Sequence, residues 1–191
     1  MSITKWAIDA VHSEISFKVK HLMISTVTGH FNKFNLEVET ADDDFSSSKK
    51  IQFSADVDSI DTNNEQRNAH LRSADFFNVE SHPQIKFSGT NYEANRDEAK
   101  LHGNLTIAGI TKPITLNVDF GGLAKDPWGG ERAGFTVTGK ISRKDFGLTY
   151  NAATEAGGVV VGDEIKIFAE VQLVKQVKVE TEKEELVEEA R

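Results

Sequence analysis

The chain has 191 residues, 38% hydrophobic and 27% charged, the balance of one compact soluble domain whose single core needs no staple. It contains no cysteine, which excludes thiol catalysis, disulfide scaffolds, cysteine-ligated zinc and iron–sulfur clusters. A formal net charge of -8 argues against a general nucleic-acid binder, because phosphate affinity rests on clustered Lys and Arg.

The N-terminus runs from Met1-Ser2-Ile3-Thr4-Lys5 straight into patterned sequence, with no basic region followed by an apolar one. A cytoplasmic protein is expected on that basis, and a periplasmic one if a signal has been removed. No stretch approaches the roughly 18 consecutive apolar residues of a transmembrane segment. Period-two alternation starts at residue 15, where Ile15, Phe17 and Val19 are apolar and Ser16, Lys18 and Lys20 polar, the pattern of a half-buried strand. A shorter run covers residues 31–38. Ile51, Phe53, Ala55 and Val57 then alternate with polar neighbours.

Residues 62–77 break the rule. They begin on the capping residues Asp61 and Thr62 and show no alternation, so they predict one short helix that bends or breaks at Ser73, before Phe76 and Phe77. Alternation returns at residues 85–87 and persists through Leu101, Gly103, Leu105 and Ile107; Ile114, Leu116, Val118 and Phe120; Phe135, Val137, Gly139 and Ile141; and finally Ile165, Ile167, Ala169, Val171 and Leu173. Residues 180–191 hold six Glu against Lys183 and Arg191, so residues 175–191 read as a solubilising acidic tail on a domain spanning 1–174.

About eight strands separated by Gly, Asn and Asp punctuation predict an all-β antiparallel barrel or sandwich. An eight-stranded barrel is either just filled by side chains or holds one small ligand. The inward series includes Ala55, Gly103, Gly139 and Ala169, whose small size leaves volume for an apolar cavity. Phenylalanine supplies 12 of the aromatics against two Trp and two Tyr, which provides bulk without hydrogen-bonding handles.

No glycine-rich phosphate loop, His-Glu-x-x-His or Gly-x-Ser-x-Gly is present, and the six histidines show no metal-ligand spacing, so neither a catalytic group nor a metal site is assigned. His21 and Arg143 stand out because each extends an inward apolar file. Each either sits at a barrel mouth, where Arg143 would receive an anionic head group, or is buried with a partner: Asp145 or Asp75 for Arg143, backbone for His21.

Several blocks are together specific to one family. Asp9-Ala10-Val11-His12-Ser13, Phe17-Lys18-Val19-Lys20-His21 and Val27-Thr28-Gly29-His30-Phe31 resemble the opening of the YceI family of bacterial lipid-binding proteins. Ser59-Ile60-Asp61-Thr62, Arg67-Asn68-Ala69-His70-Leu71-Arg72-Ser73-Ala74-Asp75-Phe76-Phe77, His82-Pro83-Gln84-Ile85-Lys86-Phe87, Gly103-Asn104-Leu105-Thr106-Ile107 and Arg143-Lys144-Asp145-Phe146-Gly147 continue the resemblance in order to about Leu173. It implies an extended lipocalin-like barrel, often a homodimer, whose interior takes an isoprenoid such as a polyprenyl phosphate or quinone, with no cofactor. The block around Phe76 and Phe77 would form the gate. Phe17, Val19, His21, Phe31 and Phe87 would line the pocket, joined by Arg143 and Phe146 of the last block. Ala108 and Asn68 depart from the residues the family often carries, Arg and Asp. Non-enzymatic binding, carriage or sequestration of a lipid is therefore the expected function. A surface interaction module with a filled core, or a barrel enzyme using His21 with Arg143, are the alternatives.

Overall fold

A computed structural model describes residues 2–96, 98–152 and 158–176. Its strands are β1 (Ile3–Ile8), β2 (Glu14–His21), β3 (Ser25–Phe31), β4 (Phe34–Ala41), β5 (Asp44–Asp56), β6 (Ile60–Asp61), β7 (Gln84–Asn95), β8 (Glu98–Ile107), β9 (Ile110–Lys125), β10 (Glu131–Ser142) and β11 (Val161–Lys175). One helix, α1, spans Glu65–Arg72. All pairings are antiparallel, and β1 closes the sheet by pairing with both β4 and β11.

Two of the barrel's long strands are broken ones. β1 and β2 are separated by a 3₁₀ turn, Ala10–His12, where the Asp9 carboxylate accepts from the Val11 and His12 amides and ends the first extended run. β3 and β4 are separated at residues 32–33, where the Asn32 amide donates to Ser59 O at 3.2 Å. Counted with those breaks, eight long strands close an antiparallel lipocalin-like barrel among the described residues, in line with the alternation. The hairpin strands run up to 16 residues, so at about 3.3 Å per residue the barrel is extended.

The helix is shorter than its expected limits. Asn64, and not Asp61 or Thr62, is its cap, accepting from the Arg67 amide at 2.9 Å, and it ends at Ser73, which is extended. Residues 73–77 continue as turns, and the Phe77 amide returns to Leu71 O at 3.0 Å. At the C-terminus β11 runs through Lys175, whose ammonium meets Asp43 at 2.7 Å and Glu131 at 2.8 Å, and the Gln176 amide donates to Lys5 O. Strand order thus extends past the expected boundary at 174, and the remainder of the acidic tail lies outside the described residues.

One end of the barrel interior is solid. Trp6, 1% exposed, stacks on Phe45 at 4.7 Å, and Phe45 and Phe120 meet Phe135 at 5.0 and 5.1 Å. The Trp6 indole N–H donates to Thr40 Oγ1, so the plug's polar handle is satisfied inside the core. The opposite end, under α1, is where the cavity lies.

Candidate ligand-binding cavity

The inward files of β2, β5, β7, β8, β9, β10 and β11 enclose a cavity of about 240 Å³, lined by apolar side chains apart from Ser16 and Arg143. Ser16 donates to Phe168 O at 3.3 Å, so its hydroxyl is spent on the wall. Ala55 and Ala169 contribute free volume as expected. Gly103 and Gly139 do not. A Cβ at Gly103 would stand 2.3 Å from the Phe87 ring tip, and one at Gly139 would stand 2.5 Å from a Leu116 methyl. Those glycines admit a neighbour's side chain across the sheet, and the space they leave is already filled.

The structure gathers most of the sequence-derived candidates at this cavity. Phe17, Val19, Phe31, Phe76, Phe77, Phe87 and Arg143 all line it. Two do not. His21 ends β2 at the rim, opposite Val161 and Ser25, and its half-buried ring is outside the cavity wall. Phe146, 1% exposed, sits in the 3₁₀ turn Arg143–Phe146 and borders a shallow outer groove with Lys112 and Pro113. His21 is the last residue of β2, where parity stops fixing direction, and Phe146, expected from the family block, falls in the turn that follows β10. The aliphatic part of the wall was legible too, since Ile107, Ile141, Ile165 and Ile167 stand on the alternating files. Leu71, Leu148 and Val161 also line it, but they occupy the helix, a loop and the bulged start of β11, where no alternation marks them.

Helix α1 is held against the β6 segment by Asn68, 3% exposed. Its Oδ1 accepts from the Thr62 amide at 2.8 Å and the Thr62 hydroxyl at 2.6 Å, while its Nδ2 donates to Asp61 Oδ1 at 3.2 Å. Arg67 Nε adds a bond to Thr62 Oγ1. This anchor directs Leu71 into the cavity and presents Phe76 and Phe77 as its outer wall. Outside them, His70 stands edge-on to Phe76 at 5.1 Å and to Tyr150 at 4.8 Å, with Asp75 Oδ2 3.0 Å from its Nε2. His70, Phe76 and Tyr150 thus form a small aromatic cluster on the outer side of the cavity wall.

Arg143 is paired differently from either expected carboxylate. Its Nε donates to Gly162 O at 3.0 Å, Nη1 to Leu148 O at 2.6 Å and Tyr150 O at 2.8 Å, and Nη2 to Val161 O at 3.4 Å. The carboxylate near it is Asp163, at 3.7 Å. Burial pulls its pKa below the usual guanidinium value and Asp163 partly opposes this. The guanidinium fork thus ties the 143–150 loop to the start of β11. Its donors are taken up by backbone.

A second charged cluster lies away from the cavity. Asp9 Oδ2 receives His12 Nδ1 at 2.8 Å and Arg132 Nη1 at 2.6 Å, and Arg132 Nε also meets Asp126 at 3.1 Å. The His12 and Arg132 hydrogen bonds hold the Asp9 carboxyl far below the usual carboxylate range. Among the described residues, no group of three or more His, Asp or Glu is arranged to hold a metal, and no helix is long and apolar enough to cross a membrane.

The barrel has counterparts among known proteins. Residues 6–173 match the YceI-like domain. A UPF0312 protein of Staphylococcus epidermidis is 40% identical over 173 residues, covering 89% of this chain and 97% of the relative, and one of Staphylococcus aureus is 39% identical over 171. The YceI protein of Campylobacter jejuni is 33% identical with a TM-score of 0.70, covering 83% of this chain and 90% of that one. A polyisoprenoid binding domain from Saccharophagus degradans shares the fold at a TM-score of 0.66 and 14% identity, covering 88% and 97%. With the family match spanning nearly the whole barrel and relatives this similar along their full length, the chain belongs to the YceI-like family.

Proposed function

We propose that the chain binds and carries, or sequesters, a long-chain isoprenoid or comparable amphiphile without acting on it chemically. The carrying observation is the apolar cavity bordered by Phe76 and Phe77, which would form its gate. The polyisoprenoid-binding designation of the Saccharophagus degradans neighbour supports the ligand class. A cavity of about 150 Å³ takes one benzene, so about 240 Å³ accommodates roughly ten carbon atoms. At about 0.8 kcal/mol per CH₂ that yields about 8 kcal/mol gross. Association costs roughly 4–15 kcal/mol, which offsets much of this gain. A firmly held ligand is therefore longer than the closed cavity and displaces the gate, its polar end remaining at the mouth.

The engagement of Arg143 with backbone carbonyls favours a neutral head, as in a quinone, over a phosphate. It also weighs against an enzyme built on His21 and Arg143, since His21 lies outside the wall. A filled-core interaction module is disfavoured by the cavity itself. Native mass spectrometry of gently purified protein, followed by lipid extraction, is expected to show one apolar ligand per chain. A reproducibly empty barrel that also fails to take up added polyprenyl quinone would refute the reading. Pairing with a second copy of the chain is a separate expectation, read by sedimentation velocity.

A further inference from the structure

The end of the barrel beside the cavity carries an arrangement that ligand binding does not require. β2 and β3 are joined by Leu22, Met23 and Ile24, which are 40%, 60% and 83% exposed. Leu22 and Met23 are both left-handed, at φ 52° and 58°, where Gly or Asn would be less strained. Three apolar side chains therefore stand in solvent on a turn that polar residues would fit better. The Leu22 amide donates to Val160 O at 2.8 Å, which fixes this tip beside Val161 of the cavity wall.

Below the tip lies a row of lysines. Lys140 of β10 is directly opposite Lys166 of β11, and Lys166 is directly opposite Lys18 of β2. All three are exposed, as is Lys20, two residues nearer the tip, and no side chain of the four makes an ion pair or hydrogen bond among the described residues. Like charges facing one another across strands repel. A chain with 30 acidic residues against 22 basic has placed three unneutralised cations side by side next to an exposed apolar turn.

The geometry points to this end of the barrel as a docking surface for an anionic lipid bilayer, with the Leu22-Met23-Ile24 tip entering the interface and the lysine row meeting the head groups. At about 3.3 Å per residue, Lys20 lies roughly 7 Å and Lys18 roughly 13 Å behind Leu22. An interfacial apolar element sinks about 5–10 Å into the head-group boundary, which brings Lys20 to head-group level. The Lys18 row then stands within about one Debye length, ~8 Å, of the surface. Docking in this pose places the Phe76 gate beside the bilayer, so an amphiphile would pass between membrane and barrel with little of its tail crossing water. The inference rests on the lipid-carrier reading.

The test is co-sedimentation of the full chain with phosphatidylcholine vesicles, with and without phosphatidylglycerol, at low and physiological salt. Binding is expected only with phosphatidylglycerol, despite the chain's net negative charge, and weaker in salt. Replacing Lys18, Lys140 and Lys166 together by Gln should weaken it about a hundred-fold, from about five-fold per lysine. Ile24→Asp should weaken it too. Glu164→Gln, which removes the exposed carboxylate two residues along β11 from Lys166, should strengthen it. Thermal unfolding of each variant shows that the fold is kept. No vesicle binding, equal binding to both vesicles, or an unaffected triple variant would overturn the proposal, as would self-association abolished by Ile24→Asp without vesicle binding, which assigns the tip to a second copy. Native mass spectrometry of the same samples separates the two readings: lipid-loaded protein that ignores vesicles refutes docking alone, and docked protein with no lipid refutes the carrier.

Discussion

Replacing Arg143 by Met removes the donors that Gly162, Leu148 and Tyr150 carbonyls receive, whereas Val161 O retains the Asn151 amide at 2.9 Å. Each buried carbonyl left without a donor costs about 1–3 kcal/mol. Relief from burying the guanidinium, which already depresses its pKa, offsets part of that, so the expected net loss is about 3–5 kcal/mol. For a domain of this length each kcal/mol moves the unfolding midpoint by about 2–4 °C, so a fall of about 6–20 °C follows. Arg143→Lys keeps the charge but reaches one or two of these acceptors at most, and should recover less than half of the loss. Differential scanning calorimetry reads the stability, and paired titrations with a polyprenyl phosphate and a polyprenyl quinone read the head-group dependence. Because the arginine holds the mouth together, both ligands should weaken by a similar factor. A midpoint within 2 °C of the parent, together with a loss confined to the phosphate, would show that Arg143 receives the head group and that its carbonyl bonds are replaceable.

Ala169→Leu adds three carbons to the cavity wall and should cut long-chain ligand binding at least ten-fold while leaving the ligand-free protein as stable or more so, read by ligand titration and thermal unfolding. Asn68→Asp puts a carboxylate where Nδ2 now donates to Asp61 Oδ1, and should lower stability by about 1–3 kcal/mol at neutral pH and less at pH 4, where one of the two carboxyls protonates. Asp9, its folded pKa held below the ordinary value by His12 and Arg132, contributes stability that is complete above the unfolded pKa of about 4 and is lost as pH falls toward the folded value. Arg132→Met should flatten part of that acid-limb slope in urea unfolding between pH 5 and 2, and an unchanged slope would show that the pair is idle.

The strands were legible because their signal is local. A residue's side in a strand depends on its neighbour two positions away, so Phe17, Val19, Phe87 and the isoleucine files could be assigned inward without any knowledge of what faces them. The helix was legible for the same reason, as a gap in alternation, although its cap moved from Asp61 to Asn64 because the Asn64 side chain is the one that reaches the Arg67 amide. What each inward position leaves open is a different quantity, since it is set across the sheet. Ala55 and Ala169 open the cavity and Gly103 and Gly139 do not, because Phe87 and Leu116 fill the glycine sites from neighbouring strands. Whether Arg143 receives a head group or is buried with a partner stayed open for as long as its carbonyl acceptors at 148, 150 and 162 were only distant positions in the chain. His21 continues its inward file only as the last residue of β2, and Phe146 came with the family block and falls in the 3₁₀ turn after β10, where parity gives no direction. Periodicity along the chain determines which residues face the interior, and only contacts between strands decide whether that interior is solid, as around Trp6, or hollow, as beneath Phe76.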